Sequence, residues 1–395
     1  MEKTLQLTPS DFVEDKYDRL RLIPWWNQDR LSDAVILVVG AGAIGNELIK
    51  NLSLLGIGHI LIVDMDRIEN TNLTRSILFR AKDVGRFKAE VAAERAMELN
   101  PDIKAKAFVA NIIDDIGLGV FRRADVVLGA LDNREARLAI NQACYKVNRP
   151  WIDGAIEALS GFARVFVPPD GVCYECTMTE MDWKLINKRK SCALLTNEQM
   201  NEGKIPTTPT SSAIIAGIQV QEMLKLLHAD RDLPTLEGRG FVFNGLTHDS
   251  YIVEYQRKED CMSHETYYEI IEKPWSAKII TLEEIIKTAK NDLGSSAVVD
   301  FDRNIVVSLS CECGNKQRFF KPLHALRAND LACPVCGGQM NYKSIHNITG
   351  DEDFLEQTPL DLGIPELHVV SGRFGYNTKQ YEFSDDYKDV FSSLY

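Results

Sequence analysis

Three apolar runs constrain this chain more than any other feature. "AVILVVG" (Ala34 to Gly40), "HILIVD" (His59 to Asp64) and "ADVVLGAL" (Ala124 to Leu131) carry polar residues only near their ends. A strand covered on one face alternates apolar and polar residues; a strand covered on both reads as a continuous run. Between the runs the spacing is helical, in "AIGNELIKNLSLLG", in "KAEVAAERAMELN", which Asn100-Pro101 ends, and in "REARLAINQACYKV". "IKAKAFVA" adds a further strand. Strand and helix alternate, which predicts an α/β fold with a doubly wound, mostly parallel Rossmann-like sheet.

The pattern changes after Trp151. "GFARVFVPPDG" predicts a strand ended by two prolines, and "GFVFNGLTHDSYIVEYQRK" an antiparallel hairpin, so the parallel sheet gains an antiparallel extension. From Cys176 to Thr210 the chain is polar with little periodicity; "SSAIIAGIQVQEMLKLLH" then predicts an apolar helix. The expected division is an arm at 1–33, a nucleotide-type domain at 34–270 with a crossover segment at 177–210, and a small α+β domain at 275–395, with a boundary near Lys273-Pro274. In the last part "LEEIIKTAKNDLG" predicts a helix, "SAVVDFDRNIVVSLSCECG" a hairpin, and the final acidic dozen residues a loose tail.

A length of 395 residues suits two or three domains. The net charge of −12 argues against non-specific nucleic-acid binding, although "NKRKS" (Asn187 to Ser191) is a local basic patch. No apolar run is long enough to span a bilayer. The polar, acidic N-terminus resembles neither a signal nor a transit peptide, so a cytoplasmic location with no membrane partner is expected.

"GAGAIG" sets Gly40, Gly42 and Gly45 in the G-x-G-x-x-G pattern between a strand and a helix, a turn that accepts nucleotide phosphates at the helix N-terminus. Asp64 closes the second strand, where a carboxylate accepts from ribose hydroxyls, which suits NAD and ATP equally. Arg75 and Lys88 fall at the same mouth, and Arg19 or Arg21 could reach it from the arm. Asp132, after the fourth strand, is placed to hold Mg²⁺. Hydride transfer needs no such cations, whereas nucleotidyl transfer builds charge on phosphorus oxygens and does.

"YDRLRL", "VVGAGAIG", "VDMDRIENTNLTRSILF", "GRFKAEVAAE", "NP", "ALDNREARLAIN" and "CYEC" occur in that order. Together, over about residues 15–265, they resemble the ThiF/MoeB superfamily, which includes ubiquitin-activating enzymes. The resemblance implies adenylation of the C-terminal glycine of a ubiquitin-like protein with Mg-ATP, and a homodimer. It implies that Asp64 binds the ribose, that Asn72, Arg75 and Lys88 contact the phosphates, that Asp132 holds Mg²⁺, and that Arg19 enters the neighbouring subunit's site. Ser76 stands where many relatives have glutamine, which puts one phosphate-side contact in doubt.

Nine cysteines complete the reading. "CYEC" (Cys173, Cys176) and "CMSH" (Cys261, His264) form one Cys₃His zinc set, and "CECG" with "CPVCG" (Cys311, Cys313, Cys333, Cys336) a zinc ribbon; the alternative joins "CPVC" to "CYEC". Four protein ligands leave no open position, so both zinc sites are read as structural. Cys144 reads as a small buried hydrophobe. Cys192 follows Lys188, Arg189 and Lys190, and nearby cations favour a thiolate. In thioester-forming relatives the nucleophile lies in this crossover segment. Cys192 is therefore either that nucleophile, passing the ubiquitin-like protein to a conjugating enzyme, or an ordinary loop cysteine, since Ser191-Cys192-Ala193 lacks the usual Cys-Thr context. In the second case the chemistry stops at the adenylate and serves a sulfur-carrier protein. An inactive scaffold subunit is disfavoured because Arg75, Lys88 and Asp132 are present. The C-terminal part is read either as a ubiquitin-fold-like domain or as a zinc-bearing interaction domain. The compact length resembles bacterial enzymes and suggests a bacterial conjugation system of the Bil antiphage type.

Overall fold

The computed structural model describes residues 15–191 and 206–392. The arm holds two short helices, α1 (Asp18–Arg21) and α2 (Gln28–Asp33). The first sheet has eight strands: β1 (Val35–Val39), β2 (His59–Val63), β3 (Lys104–Phe108), β4 (Val126–Gly129), β5 (Trp151–Glu157), β6 (Ser160–Phe166), β7 (Arg239–Asn244) and β8 (Asp249–Glu254). Their spatial order is β3-β2-β1-β4-β5-β6-β7-β8. Pairing is parallel from β3 to β5 and antiparallel from β5 to β8. This is the expected doubly wound sheet with its antiparallel extension.

The helices of this part are α3 (Ala43–Leu55), α4 (Lys88–Leu99), α5 (Leu118–Arg123), α6 (Arg134–Lys146), α7 (Tyr174–Thr177), α8 (Glu180–Ser191) and α9 (Pro209–Leu227). Alternate residues of β1 explain its continuous apolar run. Ile36 and Val38 join a core that contains Leu48 and Leu52 of α3 and Met223 of α9. Leu37 and Val39 join a separate core, with Phe121 of α5 and Ile140 of α6. Helix α8 corrects the expectation of an irregular segment after Cys176. Its weak amphipathic pattern hides it, and Asp182 starts it by accepting from the Thr179 N–H at 2.9 Å.

The second sheet comprises β9 (Ile270–Lys273), β10 (Val298–Ser310), β11 (Lys316–Pro322), β12 (Asn341–Ile348), β13 (Val369–Phe374) and β14 (Asn377–Phe383). Strand β9 lies before Pro274 yet already pairs in parallel with β14. Helix α10 (Leu282–Leu293) has a Thr281–Glu284 capping box and buries Leu282, Ile285, Ile286 and Ala289 against this sheet. The stretch expected to be a hairpin is one long strand, β10. Its polar Asp302-Arg303-Asn304 interrupts the ladder with β12 without reversing the chain. Arg303 turns toward the other domain there, donating to the Asp114 oxygen at 3.0 Å, and pairs with Asp302. The described part of the tail is not loose either: α11 (Tyr387–Phe391) packs Phe391 into the core below β1 and β4.

The two sheets meet through a shared apolar core, which Leu367, Val369 and Phe391 enter, and through polar contacts. Buried Glu382 accepts from Arg122 at 2.8 Å and from Arg123 at 2.7 Å. His368 Nδ1 accepts the Leu118 N–H at 3.3 Å, and its Nε2 faces Asp302 Oδ2 at 3.3 Å.

Candidate functional site

The glycine turn joins β1 to α3. Gly40 has φ +96°, and a Cβ there would fall 2.4 Å from the Ala130 carbonyl oxygen. A Cβ on Gly45 would fall 1.9 Å from the Gly40 oxygen. These two glycines are required by the turn and by its packing on the strand-β4 loop. Gly42 differs: a Cβ there would meet nothing within 4 Å. The middle glycine thus borders open space at a helix N-terminus, where a phosphate is favoured. Asn46, one turn into α3, donates to Ala41 and Gly42 oxygens at 2.8 and 3.0 Å and accepts the Leu78 N–H at 3.0 Å. It ties the turn to the segment that carries Arg75, a role that spacing alone does not reveal.

Asp64 follows β2. Its oxygens accept the Ala41 N–H at 2.7 Å and the Asp66 N–H at 2.8 Å. Burial raises this carboxyl above its ordinary range, while Lys88 and the two amides oppose the rise. Lys88, at the start of α4, places Nζ 2.8 Å from Asp66 Oδ2. Sequence reasoning missed Asp66; only its place two residues past Asp64 hinted at it. Asn72 Oδ1 accepts the Glu69 N–H at 2.9 Å, and half-buried Arg75 donates to the Thr71 oxygen at 2.6 Å. Ser76 beside it is buried. Asp132 is exposed just beyond β4 and makes no ion pair among the described residues.

Below Asp132 lies a buried ionic cluster. Arg137 Nε donates to Asp153 Oδ1 at 2.8 Å, and its Nη2 donates to the Leu131 carbonyl oxygen. Arg164 Nη2 donates to Asp153 Oδ2 at 2.6 Å and its Nη1 to Thr177 Oγ1 at 3.1 Å. Burial would raise the Asp153 carboxyl, but the two guanidiniums outweigh it and hold it below its ordinary value. The cluster fixes the carbonyl immediately before Asp132. It joins residues from three separate stretches, so no local pattern announces it.

Arg19 is not brought to this site. Tyr17 anchors α1 by accepting from Asn100 Nδ2 at 2.7 Å, at the C-terminal end of α3. Thirteen residues of helix separate that end from the glycine turn, about 18 Å. Cys192 lies outside the described residues. The crossover segment leaves beside Asp132, where Arg134 Nε meets Asp182 Oδ1 at 2.7 Å, and returns where Ala158 N–H donates to the Pro206 oxygen at 2.7 Å.

Two groups of four metal-type ligands assemble elsewhere. Cys173, Cys176, Cys261 and His264 form one; Cys311, Cys313, Cys333 and Cys336 form the other. Within each, the ligand atoms lie within 4.8 Å of one another. Cys173 Sγ lies 3.4 Å from Cys261 Sγ, and Cys176 Sγ lies 3.3 Å from His264 Nε2. In the second group Cys311 and Cys336 sulfurs are 3.5 Å apart, and those of Cys313 and Cys333 3.7 Å. Tetrahedral zinc with bonds of about 2.3 Å spaces its sulfurs about 3.8 Å apart, so both groups fit the ion. Cys144 is fully buried, and burial pushes its thiol well up, as suits an inert packing residue.

A doubly wound sheet with a glycine turn, a strand-end carboxylate and cations on one edge defines a nucleotide-binding α/β protein. More particularly, the chain belongs to the ThiF family, which matches residues 14–263. Ubiquitin-like modifier-activating enzyme 5 of Arabidopsis thaliana is 29% identical over 224 residues, 51% of this chain and 49% of its own length. A sulfur carrier protein adenylyltransferase of Thermus thermophilus is 35% identical over 170 residues, 41% of this chain and 63% of its own length. The chain therefore spans about half of the first relative and under two thirds of the second. Among solved structures, E. coli MccB with ATP superposes with a TM-score of 0.50 at 26% identity, covering 60% of this chain and 68% of that one.

Proposed function

We propose that this protein adenylates the C-terminal glycine of a ubiquitin-like protein with Mg-ATP, takes the product as a thioester on Cys192 and passes it to a conjugating enzyme. The observation that carries the adenylation reading is the convergence of Gly42, Asp64, Lys88, Arg75 and Asp132 on one sheet edge. A relative solved with ATP, and relatives named as activating enzymes and as an adenylyltransferase, support it.

Asp64 would receive the ribose, and Gly42 would leave room for phosphate at the amides opening α3. Asn72, Arg75 and Lys88 would stabilise charge on the phosphates as the glycine carboxylate attacks the α-phosphorus and pyrophosphate leaves. Asp132 would hold Mg²⁺, which supplies further neutralisation of phosphate charge. No general base is needed, because the attacking carboxylate is already ionised. Lys88 must leave Asp66 or bring it along, so the ion pair holds the lysine ready at the mouth. The two clusters of cysteine and histidine would hold structural zinc. Arg19, at the far end of α3, suits a role in a neighbouring subunit's site better than in its own, which supports a homodimer.

The tether between Asp182 and Arg134 favours the thioester step, because it starts the segment that leads to Cys192 beside the nucleotide edge. A second reading stops at the adenylate and feeds a sulfur carrier, as the Thermus relative's name describes for that protein. A non-reducing gel separates them. The chain, Mg-ATP and a β-grasp protein ending in glycine should give a thiol-sensitive adduct that Cys192→Ala lacks. Pyrophosphate release with no adduct would select the sulfur-carrier reading. A neighbouring gene for such a β-grasp protein would support a bacterial Bil-type defence system.

A further inference from the structure

We propose that the second cysteine cluster is a peroxide-sensitive metal site. Oxidation closes a Cys311–Cys336 disulfide and releases its zinc, while the first cluster keeps its own.

The two clusters fit the same ion but sit in different surroundings. In the first, Cys173 and Cys176 are buried, and the Tyr145 ring lies 5.4 Å from that of His264. The three sulfurs there include one that is half-exposed, so any disulfide must use a buried partner. In the second, Cys313 and Cys336 are exposed, Cys311 is half-exposed and only Cys333 is buried. Cys336 and Cys311 thus pair an exposed residue with a half-exposed one, their sulfurs 3.5 Å apart. Closing that gap to about 2.05 Å needs a movement of only about 1.5 Å between two turns. Access decides which sulfur a peroxide reaches.

The chemistry balances with hydrogen peroxide as oxidant. The Cys336 thiolate attacks one peroxide oxygen and the O–O bond breaks; the sulfur keeps a hydroxyl, and the departing hydroxide takes a proton to become water. The Cys311 thiolate then attacks the Cys336 sulfur. The S–S bond forms, the S–O bond breaks, and a second water leaves after protonation. Two electrons pass from the two sulfurs to peroxide. Zinc is left with two thiolates and departs.

The consequence is local. The lobe around this cluster has a small core of Val306, Leu309, Leu326, Leu331, Cys333 and Met340. So few side chains hold a lobe poorly without a metal. The larger core around α10 is separate, so β10, β13 and β14 should stay folded.

The test uses the full-length zinc-loaded chain, treated with hydrogen peroxide in the presence of a zinc chromophore. One zinc per chain should be released, a Cys311–Cys336 disulfide should appear in the peptide map, and amide exchange should rise at residues 311–340 but not in β1 or β2. Dithiothreitol with added zinc should reverse all three. Met262, 83% exposed, reports the peroxide dose through its sulfoxide. Complete Met262 oxidation with both zincs retained would overturn the proposal. So would loss of both zincs together, or equal oxidation of Cys173 and Cys176.

Discussion

Asp132, on the nucleotide edge, is exposed and makes no ion pair among the described residues. A carboxylate of this kind contributes little to folding and is available for an ion. Asp132→Ala should abolish pyrophosphate release while zinc content and thermal stability stay as in the wild type; normal release would remove the Mg²⁺ assignment. The glycines make a paired prediction. Gly45→Ala would put a methyl 1.9 Å from the Gly40 oxygen and should lower the melting temperature by several degrees. Gly42→Ala meets nothing in the free chain, so its stability should be unchanged while Mg-ATP binding weakens by about tenfold or more, at the cost of one displaced phosphate contact. Calorimetry on both variants checks this, and equal stability loss in the two would refute the distinction. The positions of Gly40 and Asp64 at strand ends were legible because that spacing is local. Asp66, Arg137, Asp153 and Arg164 were not, because their partners lie on distant stretches that only the folded sheet brings together.

At the level of elements, apolar runs predicted the parallel strands well, since burial on both faces leaves no polar position to obscure them. The same logic missed α8, whose mostly polar sequence carries little periodicity, and turned β10 into a hairpin, because Asp302-Arg303-Asn304 looks like a turn. Two of them are polar for another reason: Arg303 donates to the Asp114 oxygen of the neighbouring domain, and Asp302 meets Arg303 and His368. The Cys-x-x-Cys spacing was legible because metal geometry restricts it. Cys261→Ser removes one ligand from the first cluster, which packs against α6 through Tyr145. It should lose one zinc per chain and destabilise the fold. Metal analysis that still found two zincs would reject the grouping of Cys261 with Cys173, Cys176 and His264.

Across the whole molecule, the contact between the two sheets combines apolar packing of Leu367, Val369 and Phe391 with buried charged groups. Burial pushes His368 below its ordinary 6.5, with Arg303 and Lys146 acting the same way and Asp302 opposing. The folded chain therefore keeps this histidine neutral where the unfolded chain would protonate it. Stability should fall as pH drops below about 6.5, because the unfolded state binds the additional proton. Asp302 acts lower: burial would raise it, but His368 and Arg303 hold it well below 3.8. Its contribution is present above the ordinary carboxylate range and is lost only as pH falls through that depressed value. Melting temperatures between pH 7 and 5 should decline, and His368→Asn should reduce the slope of stability with pH. An unchanged slope would mean that the interface does not sense this residue. The central claim concerns the nucleotide, and titration calorimetry tests it most directly, with ATP and with NAD, each with and without Mg²⁺. The site described here predicts one ATP per chain, tighter with Mg²⁺ and lost in Asp64→Ala, with no heat from NAD. Saturable NAD binding without ATP binding would contradict it.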